Sequence, residues 1–149
     1  MQKYSGLIPQ ITVKSGAAAI DFYKAAFGAE ELSRMPAPDG RVMHAHLKIE
    51  GSSLFLSDDF PDHCGGVSRL PSGPLPLTLH VCVKDCDAAI ARAVKAGATV
   101  QMPATDMFWG DRYGQIVDPF GYTWSLSHPL SAEQAAAAQK AWAGMKPNK

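Results

Sequence analysis

The sequence lacks several features that would assign it to a special class of protein. It is 149 residues long, and no apolar run approaches the roughly 20 residues needed to span a bilayer. Lys plus Arg and Asp plus Glu both number 14, so the formal net charge is zero. This balance argues against nucleic acid and anionic membranes as main partners. With 46% apolar and 19% charged residues, the composition is typical of a globular domain and too apolar for disorder.

Cysteine is scarce as well. Cys64, Cys82 and Cys86 are odd in number and lack the CxxC spacing that structural zinc sites use. We therefore interpret all three as reduced thiols, without a disulfide framework. The first residues have no signal-peptide pattern, because their short apolar stretch continues directly into a strand. A cytoplasmic location is the expectation that follows.

An internal repeat organises the chain. A shift of 70 residues aligns ITVKSGAAAI (11–20) with VCVKDCDAAI (81–90). Both segments run from an alternating strand into a helix, and three further strand-like segments follow each helix. The order of elements predicts an α+β fold of two βαβββ modules. The predicted strands are 7–13, 30–35, 42–50 and 53–58 in the first half, and 77–83, 99–102, 112–117 and 122–127 in the second.

Residues that start and stop helices support this reading. Ser15 in the first half, and Asp85 and Asp87 in the second, can accept hydrogen bonds from free backbone N–H groups. Gly28 and Gly97 can end the helices in the left-handed conformation. We expect one domain over 1–149. Its parts are module one (about 5–60), a Pro- and Gly-rich linker or mobile loop (61–76), module two (about 77–128) and a C-terminal helix (131–144).

Side chains alternate across a strand, so each strand divides into two faces. One face is apolar and is expected to bury the two helices. It includes Leu7, Val13, Met43, Leu47, Leu56, Leu77, Leu79, Trp124 and Leu126.

The opposite face is polar and carries three of the five His residues. A face that met only water would more often carry Lys, Glu and Thr, which is the alternative interpretation. Its Ser, Thr, His, Gln and Cys residues indicate the lining of a partly desolvated pocket instead. The candidate ligand-contacting residues on this face are Gln10, His44, His46, Phe55, Thr78, His80 and Ser125.

The segment MFWGDRYG (107–114) is a second candidate for ligand contact. Trp109 and Tyr113 supply aromatic area, and Arg112 could recognise a carboxylate or phosphate through its planar fork of donors. The alternative is a structural β-turn in which an ion pair of Asp111 and Arg112 holds the loop. Both interpretations stay open on the sequence alone.

The paired βαβββ pattern, IDFYKAAFGAEE (20–31) and DPFGYTWSL (118–126) together resemble the vicinal oxygen chelate superfamily of glyoxalases, bleomycin-resistance proteins and extradiol dioxygenases. Within it, GRVMHAHLKI (40–49) and FWGDRYGQIVDPFGYTWS (108–125) are most similar to the PhnB-like, glyoxalase-like branch. The resemblance implies two modules whose sheets curve into a cleft, usually completed in a homodimer.

Metal-dependent members of that superfamily draw ligands from four inward strand positions. No residue that falls at these positions here is a good ligand for a divalent metal, so we expect no cofactor. A divalent metal bound at a shifted set of Gln10, His46 and His80 is the alternative, although that set lacks a carboxylate. The four motif positions fall on Ile8, at or near Phe55, on Thr78 and on Ser125.

Two functions follow from the resemblance. The first is a binding protein of the bleomycin-resistance type, which holds a small oxygenated or amphipathic molecule without catalysis. The second is a glyoxalase-like lyase or isomerase, so whether the chain is an enzyme stays open. It would use the shifted metal set, or His80 or His46 as a general base with Arg112 holding the developing anion.

Overall fold

A computed structural model of the chain describes residues 4–145, which divide between Pro74 and Leu75 into two compact units. The first unit contains β1 (Gln10–Val13), α1 (Gly16–Phe27), β2 (Glu30–Pro36), β3 (Val42–Ile49) and β4 (Ser52–Asp58). The second contains β5 (Thr78–Cys82), α2 (Cys86–Ala96), β6 (Thr99–Asp106), β7 (Asp111–Val117), β8 (Thr123–Pro129) and α3 (Ala132–Ala143).

Each unit has one four-stranded mixed sheet. The strand orders are β1-β4-β3-β2 and β5-β8-β7-β6. In each sheet the first pair is parallel and the other two pairs are antiparallel. The α+β class and the two βαβββ modules predicted from the repeat are confirmed. The C-terminal helix is confirmed too, with Ser131 and Gln134 forming a capping box.

One face of each sheet is covered by a helix. In the first unit, Ile20 and Tyr23 of α1 are buried together with Leu47 and Leu56 of the sheet. In the second unit, Ile90 of α2 is buried with the sheet residues Ile116, Trp124 and Leu126. Each large side chain removed from water in this way contributes about 1.5–3 kcal/mol to folding. This burial fixes the register, because a slip by one residue would turn the apolar side chains outward.

Three residues predicted for the apolar face are exposed instead. Leu7 and Leu77 precede the strands, which begin at Gln10 and Thr78, so strand alternation does not govern them. Met43 is 47% exposed because the β2–β3 register shifts at the end of β2, between Met35 and Pro36. This irregularity gives the buried position to Val42, next to α1.

The helix starts are held by two acceptors each. Ser15 Oγ accepts from the Ala18 N–H, and Asp85 Oδ1 accepts from the Ala88 N–H, as the sequence predicts. A second acceptor comes from the last strand of each module: Asp58 Oδ1 lies 2.8 Å from the Gly16 nitrogen, and His128 Nδ1 lies 2.8 Å from the Cys86 nitrogen. A carboxylate in one module is therefore replaced by an imidazole in the other.

Cys86 is a structural residue at the start of α2. Its side chain is buried, and its Sγ donates to the carbonyl oxygen of Leu126 at 3.2 Å. Burial raises the pKa of this thiol, which disfavours the reactive thiolate. At the corresponding position of the first unit, Gly16 leaves no room for a side chain, because a Cβ there would lie 2.6 Å from Cβ of Val42.

The loop predicted over 61–76 contains one short 3₁₀ helix, Pro61–His63, and no other regular element. Its start is anchored by Arg41, whose guanidinium donates to both carboxylate oxygens of Asp62 at 3.0 and 2.8 Å. This pairing lowers the pKa of Asp62 to about 2. Asp59 accepts from the Ser68 hydroxyl and from the Arg69 N–H, which ties the next part of the loop to the end of β4.

No helix within residues 4–145 is long and apolar enough to cross a membrane.

The turn between β7 and β8 depends on one buried carboxylate. Asp118 Oδ1 accepts from the N–H groups of Phe120 and Tyr122 at 2.9 and 3.0 Å. Asp118 Oδ2 accepts from Nε1 of Trp124 at 2.8 Å. Gly121 adopts a φ of 92°, which the turn requires and a side chain would strain. The turn residue predicted in DPFG therefore also fixes the indole of Trp124.

We expect Asp118→Asn to destabilise the protein. The asparagine amide has one acceptor oxygen for the three N–H donors that the carboxylate now accepts from, and its NH₂ group would face one of these N–H groups. The loss should be about 1.5–3 kcal/mol, the range for hydrogen bonds to a charged group. Urea denaturation followed by circular dichroism would measure it, with Asp21→Asn, an exposed substitution on α1, as the matched control. Equal midpoints for the two variants would contradict this account of the turn.

Candidate functional site

The second sheet presents a polar face on the side opposite α2. It consists of alternate residues of three strands, because every second side chain of a strand points to the same side. Ser125 on the central strand β8 lies between His80 on β5 and Gln115 on β7 in the register. The polar face of the second sheet is formed by Thr78, His80, Cys82, Asp111, Tyr113, Gln115, Thr123, Ser125 and Ser127.

His80 is held by two serine hydroxyls. Its Nδ1 lies 2.7 Å from Oγ of Ser125, and its Nε2 lies 3.1 Å from Oγ of Ser127. The serines are only 2% and 4% exposed, whereas the imidazole is exposed. A neutral imidazole has one donor and one acceptor nitrogen, so one serine donates to the ring while the other accepts from it. The pair thus fixes the orientation of an imidazole at the surface of the sheet.

Tyr113 and Gln115 lie near this imidazole on β7, which is separated from β5 by β8. Gln115 Nε2 donates to the Tyr113 hydroxyl oxygen at 2.8 Å. The rings of Tyr113 and His80 are nearly parallel, with centroids 6.1 Å apart and an interplanar angle of 13°. Both Tyr113 and Gln115 are half-buried, so neither residue is sealed off from a small molecule.

A row of aromatic rings extends from Tyr113 to the C-terminal helix. Trp109 meets Tyr113 edge-on at 5.4 Å, and Phe108 meets Trp109 edge-on at 5.2 Å. Phe108 stacks on Trp142 of α3 at 4.3 Å. The two edge-on distances lie in the range of favourable aromatic pairs. Trp109 remains 48% exposed, which leaves apolar area next to the hydrogen-bonding groups.

Arg112 does not join this group. Its Nε and Nη2 pair with the carboxylate of Asp87 on α2 at 2.5 and 2.8 Å, and its Nη1 pairs with Asp106 at 2.8 Å. These carboxylates raise the pKa of Arg112, and the guanidinium lowers the pKa of Asp87. The structure therefore places Arg112 on the α2 side of the sheet. Its ion-pair partners there are not Asp111, the partner considered from the sequence.

The first sheet carries an aromatic cluster on its corresponding face. Phe55 on β4 contacts His44 and His46 of β3 edge-on, with ring centroids 4.7 and 5.1 Å apart. Tyr4, which the sequence reasoning missed, meets Phe55 at 5.1 Å and His46 at 5.2 Å. Gln10 is exposed and pairs with Phe55 in the β1–β4 register.

His46 is buried within this cluster. Its Nε2 lies 2.8 Å from Oγ of Ser53, its neighbour across the strand pair. The imidazole is thus engaged by a serine, as His80 is in the second unit. The sequence grouped the two histidines as candidate bases, but the structure shows that they differ in exposure.

The residues at the four motif positions do not fit the divalent metal that metal-dependent members of the vicinal oxygen chelate superfamily bind. The four motif positions offer two hydrocarbon side chains and two hydroxyls, and the hydroxyl of Ser125 is hydrogen-bonded to His80. Across residues 4–145, no three or more His, Cys, Asp or Glu side chains lie where they could share a metal ion. The shifted set is divided between the units, with Gln10 and His46 in the first and His80 in the second. Metal binding by this shifted set stays a prediction.

Two residues that complete the polar face of the second sheet were given no role by the sequence reasoning. Gln115 lies two residues after Tyr113, so strand alternation from Tyr113 would have found it. Ser127 lies two residues after Ser125, so strand alternation puts it on the same face, but its bond to His80 depends on the parallel pairing of β5 with β8. No local pattern reports that pairing.

Comparisons with known proteins agree with this architecture. The family model described as the Glyoxalase/Bleomycin resistance protein/Dioxygenase superfamily matches residues 8–126. The uncharacterized protein Rv0887c of Mycobacterium tuberculosis is 50% identical over 126 residues, which cover 83% of this chain and 74% of that protein.

Two solved structures are similar in fold. The X-ray structure of the Arabidopsis thaliana gene product At5g48480 has a TM-score of 0.67 and 30% identity, and the match covers 84% of this chain and 99% of that one. The crystal structure of TioX from Micromonospora sp. ML1 has a TM-score of 0.65 and 25% identity, with 85% and 100% covered.

We expect Ser127→Ala to change the environment of one ring nitrogen of His80. The substitution removes the partner of Nε2 and leaves Nδ1 bonded to Ser125. Long-range ¹H–¹⁵N NMR spectra should show altered ring-nitrogen shifts for His80 and unchanged shifts for His63, which lies in the first unit. Ser68→Ala is the matched control, because it removes a hydroxyl that bonds to Asp59 instead. Unchanged His80 shifts in Ser127→Ala would refute the serine–imidazole contact.

Proposed function

Since the chain belongs to the glyoxalase/bleomycin resistance protein/dioxygenase superfamily, we propose that it binds a small oxygenated or amphipathic molecule. The ligand lies on the polar face of the second sheet and is held without the usual divalent metal. The observation that carries this proposal is the exposed imidazole of His80, fixed by two buried serines beside accessible aromatic rings.

The placement of the polar face rests on preorganisation. Ser125 and Ser127 set the ring orientation of His80 before any ligand arrives, so little rotamer freedom is lost on binding. Among the described residues, no buried side-chain nitrogen or oxygen lacks a hydrogen-bond partner. The polar groups under the face are thus satisfied, and those at its surface can turn to a ligand.

The apolar side of the proposal rests on Trp109 and Tyr113. Rigid aromatic rings provide a large contact area with few rotatable bonds, and they lie directly beside the polar groups. This mixture suits a small molecule that has oxygen atoms on one edge and hydrocarbon elsewhere. Ligand sites in proteins commonly combine a few placed polar groups with an apolar wall in this way.

The hydrogen bonds and the burial of the candidate bases favour binding over the lyase or isomerase alternative. A general base needs a lone pair directed at the substrate, whereas both ring nitrogens of His80 bond to serines. His46 is buried and bonds to Ser53. Arg112, expected to hold a developing anion, is paired with two carboxylates away from His80. The expected homodimer and the cytoplasmic location stay predictions.

Catechol is a suitable first probe, because it is a flat ring with two neighbouring oxygens. We expect it to shift the ring protons of His80 and the indole resonances of Trp109 in a saturable manner. For so small a molecule a Kd on the order of 1 mM, or about −4 kcal/mol, is reasonable. NMR titration of the unmodified protein measures both signals at once.

His63 provides the matched control for this titration. It is an exposed imidazole in the 61–76 loop, so its resonances should not move. His80→Ala should weaken catechol binding, whereas His63→Ala should leave it unchanged. Equal shifts at His63 and His80, or none at either residue, would argue against a site on the polar face of the second sheet.

A further inference from the structure

Tyr113 and Gln115, on the polar face of the second sheet, each have one hydrogen-bonding group that is unused. The Tyr113 oxygen accepts from Nε2 of Gln115, but its phenolic proton is given to no described residue. The carbonyl Oε1 of Gln115 accepts no hydrogen bond from residues 4–145. This pair of residues therefore offers one donor and one acceptor from side chains two positions apart on β7.

The rest of the network on this face is largely self-contained. His80 uses both ring nitrogens on Ser125 and Ser127, and the two serines are buried beneath it. A ligand can thus reach Tyr113 and Gln115 without breaking an existing hydrogen bond. These two residues are the natural point of first contact.

The donor of Tyr113 and the acceptor of Gln115 are complementary to a specific arrangement of ligand atoms. A ligand matches it when a carbonyl oxygen, which accepts from the Tyr113 hydroxyl, stands next to an N–H that donates to Oε1 of Gln115. The edge of a cyclic amide, or lactam, has that arrangement. A planar ring carrying such an edge could also lie against Trp109, which is exposed and adjacent to Tyr113.

The same face disfavours negative charge. None of its described residues is a lysine or an arginine, its acid, Asp111, lies at the start of β7, and Arg112 is paired with Asp87 and Asp106 on the α2 side. An anion moved from water onto this face would lose hydration without gaining a counter-charge. Neutral ligands are therefore favoured over anions.

We propose that the polar face of the second sheet selects a planar ring that has a lactam-type edge and no negative charge, through Tyr113 and Gln115. This inference rests on the proposed function, since it names the ligand class of the same site. It assigns the donor role to the Tyr113 hydroxyl and the acceptor role to Oε1 of Gln115. His80 has a positioning role at the side of the ligand.

Three small probes separate the parts of this proposal. 2-Pyridone has the lactam edge, N-methyl-2-pyridone lacks its N–H, and 6-oxo-1,6-dihydropyridine-2-carboxylate adds a negative charge. Titrations followed by NMR at neutral pH should give the tightest binding for 2-pyridone. Loss of one hydrogen bond should weaken the N-methyl probe about 5- to 10-fold. The anionic probe should bind at least about 10-fold more weakly than 2-pyridone.

Two variants assign the hydrogen bonds to residues. Gln115→Met removes the acceptor for the ligand N–H, so 2-pyridone and its N-methyl derivative should bind equally. Tyr113→Phe keeps the ring but removes the donor to the carbonyl, so both probes should weaken by a similar factor. Gln139→Met, an exposed substitution on α3, is the matched control and should preserve the discrimination.

The outcomes distinguish this inference from the proposed function. One outcome is that catechol shifts the resonances of His80 and Trp109 while wild-type protein binds 2-pyridone and N-methyl-2-pyridone equally. In that case the lactam assignment is overturned and the binding site stands. If the anionic probe binds best, the neutral-ligand assignment is overturned. If neither catechol nor any pyridone shifts His80 or Trp109, both the site and the ligand class are overturned.

Discussion

Burial of one face of each sheet against a helix is the constraint on which the rest of the structure depends. In the second unit, Ile90 of α2 is buried with Ile116 and Leu126, and strand alternation then sends the intervening residues to the other side. The polar face of the second sheet exists because this register cannot slip without exposing the apolar residues. The buried carboxylate of Asp118 reinforces the same register by holding the turn and the indole of Trp124.

The two modules share a frame but differ in chemistry. Asp58 in the first and His128 in the second cap the helix that follows the first strand, each by accepting from the first helical N–H. The faces opposite the helices differ more. The first is an aromatic cluster around Phe55, whereas the second is a hydrogen-bonded group around His80. The same frame thus carries different side chains on the two faces.

Much of this could be predicted from the sequence, because local signals specify it. The helix caps Ser15 and Asp85 and the C-terminal capping box follow from residue type and spacing. Period-two alternation placed His80 and Ser125 on one face. Met43 was misplaced, because an irregularity in strand pairing leaves no mark in a single strand. The partners of Arg112 were also missed, since Asp87 lies on a helix 25 residues earlier in the chain.

The central claim is that a small molecule binds where His80, Tyr113 and Trp109 meet on the polar face of the second sheet. Intermolecular nuclear Overhauser effects between bound catechol and the protein test it most directly, because they report contacts atom by atom. The account predicts effects from the catechol ring protons to the rings of His80 and Trp109. Effects confined to Phe55 and His44 of the first sheet would contradict it.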